Sequence, residues 1–382
     1  MNKVIVISDS FKGSLSSSAI ARTAEDVIRQ FYPRCQVIGL PVADGGEGTV
    51  ECFLEAVGGQ RVTAPVTGPW EETVEAAYAR MGDTAVVEMA AAAGLPMVGQ
   101  RLDPSQTTTY GVGQLLRHAV EQGANHLVLG LGGSATNDGG CGAAAAMGVR
   151  FRNAAGETFT PVGATLCEIA SIDCTEVKAL LKGVTVEVMC DIDNPLCGEL
   201  GAAAVFGPQK GADAAMVRRL DDGLAHLAEI IRRDLGADVA DLPGAGAAGG
   251  FGGGAAAFFG AALRPGIEVV LDLVRFDERL QGCDLVLTGE GRMDGQSLGG
   301  KVPIGVSRRA KRQNIPVVAI VGITGSGIEP VYDEGITAVF TTNREALPFE
   351  VIRNRGESDY RRTLTDLMRY TKAVQMISNQ AE

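Results

Sequence analysis

The stretch VIVISDSFKGSLSSSAIARTAEDVIRQF, residues 4–31, decides the fold. It opens on a continuous apolar run too short for a helix, so Val4 to Ser8 reads as a strand buried on both faces, as parallel sheets require. A polar loop follows, and an amphipathic helix fits Ser16 to Phe31, with Ser16 and its hydroxyl neighbours Ser17 and Ser18 as the N-cap region. A buried strand feeding a helix through a polar loop is the repeating unit of α/β folds.

The unit recurs along the chain. Strands are expected at Gln36 to Leu40, Leu127 to Leu131, Val184 to Cys190, Leu285 to Thr288, Val317 to Val321 and Ala338 to Thr341, with shorter ones at Arg61 to Val66 and Ala85 to Glu88. Helical patterns fit Gly48 to Val57, Gly111 to Gln122, Ala212 to Leu235, Lys301 to Gln313 and Tyr360 to Ile377. The first two and last three units share one style, whereas the middle is richer in Ala, Gly and short pieces. This predicts a doubly wound parallel sheet of order 2-1-3-4-5 from residues 1–62 plus 275–382, and a second α/β domain, 63–274, inserted after the second strand. Right-handed crossovers then bring the loop after Ser8 beside the loop after Thr288, at the switch point where such sheets bind ligands.

Composition agrees with a two-domain globular protein. The 382 residues exceed what one core usually holds, and 46% apolar against 21% charged residues supports burial. A net charge of -12 and the absence of a basic stripe exclude a nucleic acid partner. The four-residue apolar run at the start is too short for a signal peptide, and Ala255 to Leu263 is too short to span a bilayer, so a cytoplasmic protein without a membrane partner is expected. A homodimer is left open. The eight cysteines are scattered without a C-x-x-C or a Cys/His ligand cluster, and they read as reduced packing thiols. His118, His126 and His226 lie outside every glycine-rich motif, which leaves acid and base work to carboxylates and lysines.

The 51 glycines, about twice the usual share, concentrate in polar loops. Ser8-Asp9-Ser10-Phe11-Lys12-Gly13-Ser14 lies between strand and helix, where Lys12 can neutralise a phosphate. Asp44-Gly45-Gly46-Glu47-Gly48-Thr49 sets two carboxylates among glycines, suited to magnesium or substrate hydroxyls. Gly130-Leu131-Gly132-Gly133-Ser134-Ala135-Thr136-Asn137-Asp138-Gly139-Gly140 offers backbone N–H groups and hydroxyls to an anion. Asp191, at a strand end, is the leading general-base candidate, with Asp193, Asn194 and Pro195 as a turn. Lys210 sits in a turn before a long helix, suited to phosphate. Gly244 to Gly249 has dinucleotide-fingerprint spacing but no preceding strand, and a segment packing beside or covering a nucleotide fits better. In Thr288-Gly289-Glu290-Gly291-Arg292-Met293-Asp294, Glu290 and Asp294 can hold Mg2+ and Arg292 can grip a carboxylate or phosphate bidentately. Gly295 to Lys301 matches a P-loop spacing, yet Val302 stands where that loop needs Ser or Thr.

Ser8-Asp9-Ser10-Phe11-Lys12, Pro41-Val42-Ala43-Asp44-Gly45-Gly46-Glu47-Gly48-Thr49, Gly132 to Gly140, Phe206-Gly207-Pro208-Gln209-Lys210-Gly211-Ala212 and Thr288 to Arg292 together resemble, in order and spacing, the bacterial glycerate kinase family, class I. Ser8 stands where that family carries proline, a departure confined to the stiffness of one loop. The resemblance implies ATP and Mg2+ with (R)-glycerate as acceptor and 2-phosphoglycerate as product, in glyoxylate, glucarate or galactarate breakdown. It also implies a flavodoxin-like domain carrying a restriction-endonuclease-like insert, with the active site in the interdomain cleft. The catalytic set expected is Asp191, Lys12 and Arg292. The acid is assigned to Ser134, Asn137, Asp138 and Arg292, and the phosphates to Lys12, Gly45, Gly46, Gly132, Gly133, Lys210 and Gly291. Metal is assigned to Asp44, Glu47, Glu290 and Asp294. The competing readings are an NAD-dependent hydroxy acid oxidoreductase and a non-catalytic metabolite-binding protein.

Overall fold

A computed structural model describes residues 1–43, 45–345 and 347–381, with side chains described as far as residue 377. The chain divides into two compact units, Met1–Ala43 with Ile267–Glu382, and Asp44–Gly266.

The first unit is built on a five-stranded parallel sheet in the order Ile336–Thr341, Val317–Val321, Leu285–Thr288, Lys3–Val6, Gln36–Gly39. Val4, Ile5, Val6, Val286 and Leu287 are buried, which is why their runs lack polar alternation. Helix Ser17–Phe31 begins where the Ser16 hydroxyl accepts from Ala19 N at 3.2 Å. Its inward face of Ile20, Ala24, Val27 and Ile28 joins one core with Tyr360, Leu364 and Met368 of the C-terminal helix Gly356–Ala381. Each such aliphatic side chain contributes about 1.5–3 kcal/mol by leaving water. The pairing of Val6 with Leu287 brings the carboxyl ends of Lys3–Val6 and Leu285–Thr288 side by side.

The second unit carries a six-stranded sheet in the order Ala262–Arg264, Thr185–Met189, His126–Gly130, Thr84–Glu88, Thr73–Met81, Gln60–Thr67. Its first four strands are parallel and its last two run antiparallel. The unit boundaries differ from those expected at 62 and 275. Gln60–Thr67 pairs over its whole length with Thr73–Met81, a strand absent from the sequence reading, and that ladder carries the preceding helix Thr49–Val57 into the second unit. At the other end, helix Gly266–Leu273 belongs with the first unit from Ile267 onward. Buried Arg309 pairs with Glu268 at 2.5 Å, Asp272 at 2.7 Å and Asp277 at 2.9 Å, and removing one partner of a buried pair strands a charge. Among the described residues, no helix is long and apolar enough to cross a membrane.

Candidate active site

In the first unit, the loops after Lys3–Val6 and Leu285–Thr288 enclose a crevice of about 410 Å3. Asp9, Lys12, Glu290, Gly291, Arg292 and Lys301 supply its polar lining. The loop after Lys3–Val6 is pinned twice: Asp9 N donates to Gly289 O at 2.9 Å, and the Ser17 hydroxyl donates to Ser8 O at 2.6 Å while accepting from Val42 N. Gly289 has no room for a side chain, because a Cβ there would lie 1.9 Å from Ile320 O. The opposing loop is held by a short parallel pair, Arg292–Met293 with Ile323–Thr324, and by Gly322 N donating to Glu290 O.

Glu290 is 4% exposed. Burial pushes its carboxyl above the ordinary value, and nearby Asp9 adds to that, whereas Ser297 and Lys301 draw it down. Lys301 reaches it at 3.3 Å from the N-cap of helix Val302–Arg312. From sequence Lys301 stands as the last residue of a rejected P-loop spacing and the first of a helix, with no site role. The missed signal was that a lysine just before a helix, eleven residues after a carboxylate, can fold back on it. Asp294 does not reach the crevice lining. One of its oxygens caps the turn Gly295–Gly299 through Gln296 N, and the other pairs with Arg292 Nε at 3.0 Å. In this arrangement Asp294 shapes the loop and holds Arg292.

In the second unit, the carboxyl ends of His126–Gly130 and Thr185–Met189 open onto a crevice of about 380 Å3 that includes Gly132, Gly133, Ser134, Asp191, Gln209 and Lys210. Lys210 is 2% exposed, unlike an ordinary loop lysine. Its ammonium donates to Ser134 Oγ and to Thr136 O, each at 2.7 Å. Burial lowers its pKa from 10.5 to about 7, with Asp138 opposing the shift. Asp191 is exposed, and one of its oxygens accepts from Gly266 N at 2.7 Å.

Several other expected site residues lie away from the two crevices or within the packing around them. Asp138 is wholly buried and accepts from Thr109 N, Thr109 Oγ1, Gly140 N and Gly142 N, so it ties the loop together. Burial raises its pKa, and the Thr109 bonds pull it back. Asn137 is also fully buried and outside the crevice lining. Gly45, Gly46 and Gly132 serve backbone packing: a Cβ on Gly132 would lie 2.6 Å from Gly46 Cα, and Gly132 N donates to Gly45 O at 3.0 Å. Glu47 is exposed near the start of helix Thr49–Val57 and lines neither crevice. That helix start is held by Glu88, which accepts from Gly48 N and Val50 N and which the sequence reading passed over. Asp44 lies outside the described residues. The glycine-rich Gly244 to Gly249 packs beneath the Ser134 loop, with the site for a Gly249 Cβ only 2.1 Å from Thr136 O, so it does not form a flexible cover. No strand precedes it, which removes the dinucleotide reading. The three histidines bond to Tyr78, to Thr84 and Glu187, and to Ile169 O. None of the eight cysteines forms a disulfide.

Both crevices lie at the carboxyl ends of parallel strands and set lysines beside carboxylates or hydroxyls, which defines an α/β protein suited to small anionic ligands. The glycerate kinase family model matches residues 4–372, and the chain belongs to that family. It is 46% identical to the glycerate 2-kinase of Escherichia coli K12, over 89% of this chain and 90% of that one. It is also 46% identical to a glycerate kinase of Halalkalibacterium halodurans, over 94% and 95% of the two chains. A Salmonella typhimurium LT2 protein whose crystal structure carries the provisional name glycerate kinase 2 superposes with a TM-score of 0.87 at 44% identity, covering 98% of this chain and 99% of that one.

Proposed function

We propose that this chain transfers the terminal phosphate of ATP to glycerate, with (R)-glycerate giving 2-phosphoglycerate. The observation that carries the reading is membership of the glycerate kinase family over nearly the whole chain. The crevice chemistry suggests how the work is divided.

The first unit's crevice suits the phosphates. Lys12, Arg292 and Lys301 bring three cations to one lining, and positive charge there opposes the charge that spreads over the transferring group. Magnesium is usually held by one or two carboxylates together with phosphate oxygens. Asp9 and Glu290, close enough to raise the Glu290 pKa, fit that donor set, and the ion would neutralise phosphate charge.

The second unit's crevice suits the acid. Protonated Lys210 has no acceptor site and donates to Ser134 Oγ, so the Ser134 proton is free to point at a carboxylate oxygen. Gly266 N orients Asp191 to accept the proton of the attacking hydroxyl. In-line transfer needs the donor phosphate and the acceptor hydroxyl in one place.

A coupled ADP-release assay across glycerate, tartronate and related hydroxy acids tests the activity. No acceptor-dependent ADP would reject it, and a 3-phosphoglycerate signal by NMR would reject the regiochemistry. Asp191→Asn is expected to lower turnover at least about a hundredfold with nucleotide binding retained. Turnover near normal would remove Asp191 as base.

A further inference from the structure

The first unit's crevice has both charged and apolar lining. Asp9, Lys12, Glu290, Arg292 and Lys301 are among its charged groups, and Phe11, Ile323, Phe349 and Ile352 are its apolar ones. Phe11 is 5% exposed and packed edge-on against Tyr360 at 6.2 Å, so its ring is fixed. Phe349 is 55% exposed, in a four-residue helix entered through Pro348. Its ring lies 3.6 Å from the position a Cβ on Gly13 would occupy. It therefore leans over the glycine that follows Lys12. Asn343 shares the lining and offers a carboxamide donor and acceptor, the pair that a base edge can read.

A three-carbon hydroxy acid is polar throughout and would leave the apolar lining facing water. A ligand with a flat aromatic body joined to a polyanion meets both kinds of lining. We propose that Phe349 is the stacking platform for the nucleobase of the phosphate donor, with the apolar wall of Phe11 and Ile352 beside it and the triphosphate toward Lys12 and Arg292. The inference rests on the kinase reading and deepens it, because it states which crevice takes the nucleotide and which residue makes a nucleoside triphosphate a better ligand than bare polyphosphate.

Calorimetric titration of the full chain with ATP and, separately, with inorganic tripolyphosphate tests this without reference to the acceptor. Wild type should bind ATP more tightly than tripolyphosphate. Phe349→Ala should weaken ATP about tenfold to a hundredfold, the range set by base–aromatic stacking, with tripolyphosphate changed less than about twofold. Phe349→Trp, which keeps an aromatic face, should restore ATP binding and also guards against an unfolded alanine variant. Equal weakening of both ligands, no change in either, or wild-type ATP binding no tighter than tripolyphosphate would overturn the subsite. ATP preference lost with Phe349, in a chain that yields no ADP with any hydroxy acid, would keep the subsite and reject the glycerate assignment.

Discussion

Replacing Lys210 with methionine tests how the second crevice is held. The native amine is 2% exposed and its pKa falls from 10.5 to about 7, chiefly through burial. In the unfolded chain the amine titrates near its ordinary value. Between those two values the unfolded chain binds the extra proton, so stability rises with pH across the window and is lost again as pH falls through about 7. At about 1.4 kcal/mol per pH step the full swing is on the order of 5 kcal/mol. Lys210→Met removes this term and also leaves Ser134 Oγ and Thr136 O without their donor, a loss of about 1–3 kcal/mol for each group at any pH. Near pH 6 the variant escapes the cost of a buried charge, which offsets the missing bonds, and the two proteins should be close in stability. Near pH 10 the wild type should lead by several kcal/mol. Burial also raises the thiol of Cys174 to about 11, so both proteins lose stability as pH climbs toward that value, and the loss cancels in their difference. Urea unfolding of both proteins at about pH 6, 8 and 10 measures that difference. A difference that stays flat, or that narrows as pH rises, would refute the buried-amine argument.

Asp138→Ala should cost about 3–5 kcal/mol by urea unfolding, because two Thr109 bonds and two glycine N–H groups lose their acceptor. Glycerate KM should change little at a temperature where the variant is folded. Gly132→Ala should destabilise by about 1–3 kcal/mol, since its Cβ would come within 2.6 Å of Gly46 Cα, and a thermal melt measures this. Glu290→Gln should lower turnover at least about a hundredfold, with the urea midpoint shifted by less than about 0.5 M; an activity loss explained wholly by unfolding would remove Glu290 from the chemistry.

The strand–loop–helix units of the first domain could be read from periodicity because their buried runs are continuous and their helices are amphipathic. Thr73–Met81 escaped notice because its sequence, TVEAAYARM, mixes charges and alanines without clean alternation, and its partner strand is what holds it. Gly244 to Gly249, expected to pack beside or cover a nucleotide, runs into helix Ala247–Phe259, which is kinked by left-handed backbone at Ala248, Gly249 and Gly250 and is buried along most of its length. Tertiary packing there outweighs the poor helix propensity of glycine.

By itself, the sequence determined the α/β class, the loops at strand ends, the family and the candidate charged groups, because each is written in local periodicity or contiguous motifs. Only the tertiary structure decided how those groups are used. It sent Lys301 to Glu290, buried Lys210 against Ser134, committed Asp138 and Asp294 to shaping loops, and turned several expected cradle glycines into points of backbone contact. The physical reason is that burial and partner distance, which set whether a carboxylate or an amine is spent or available, arise between residues far apart in the chain.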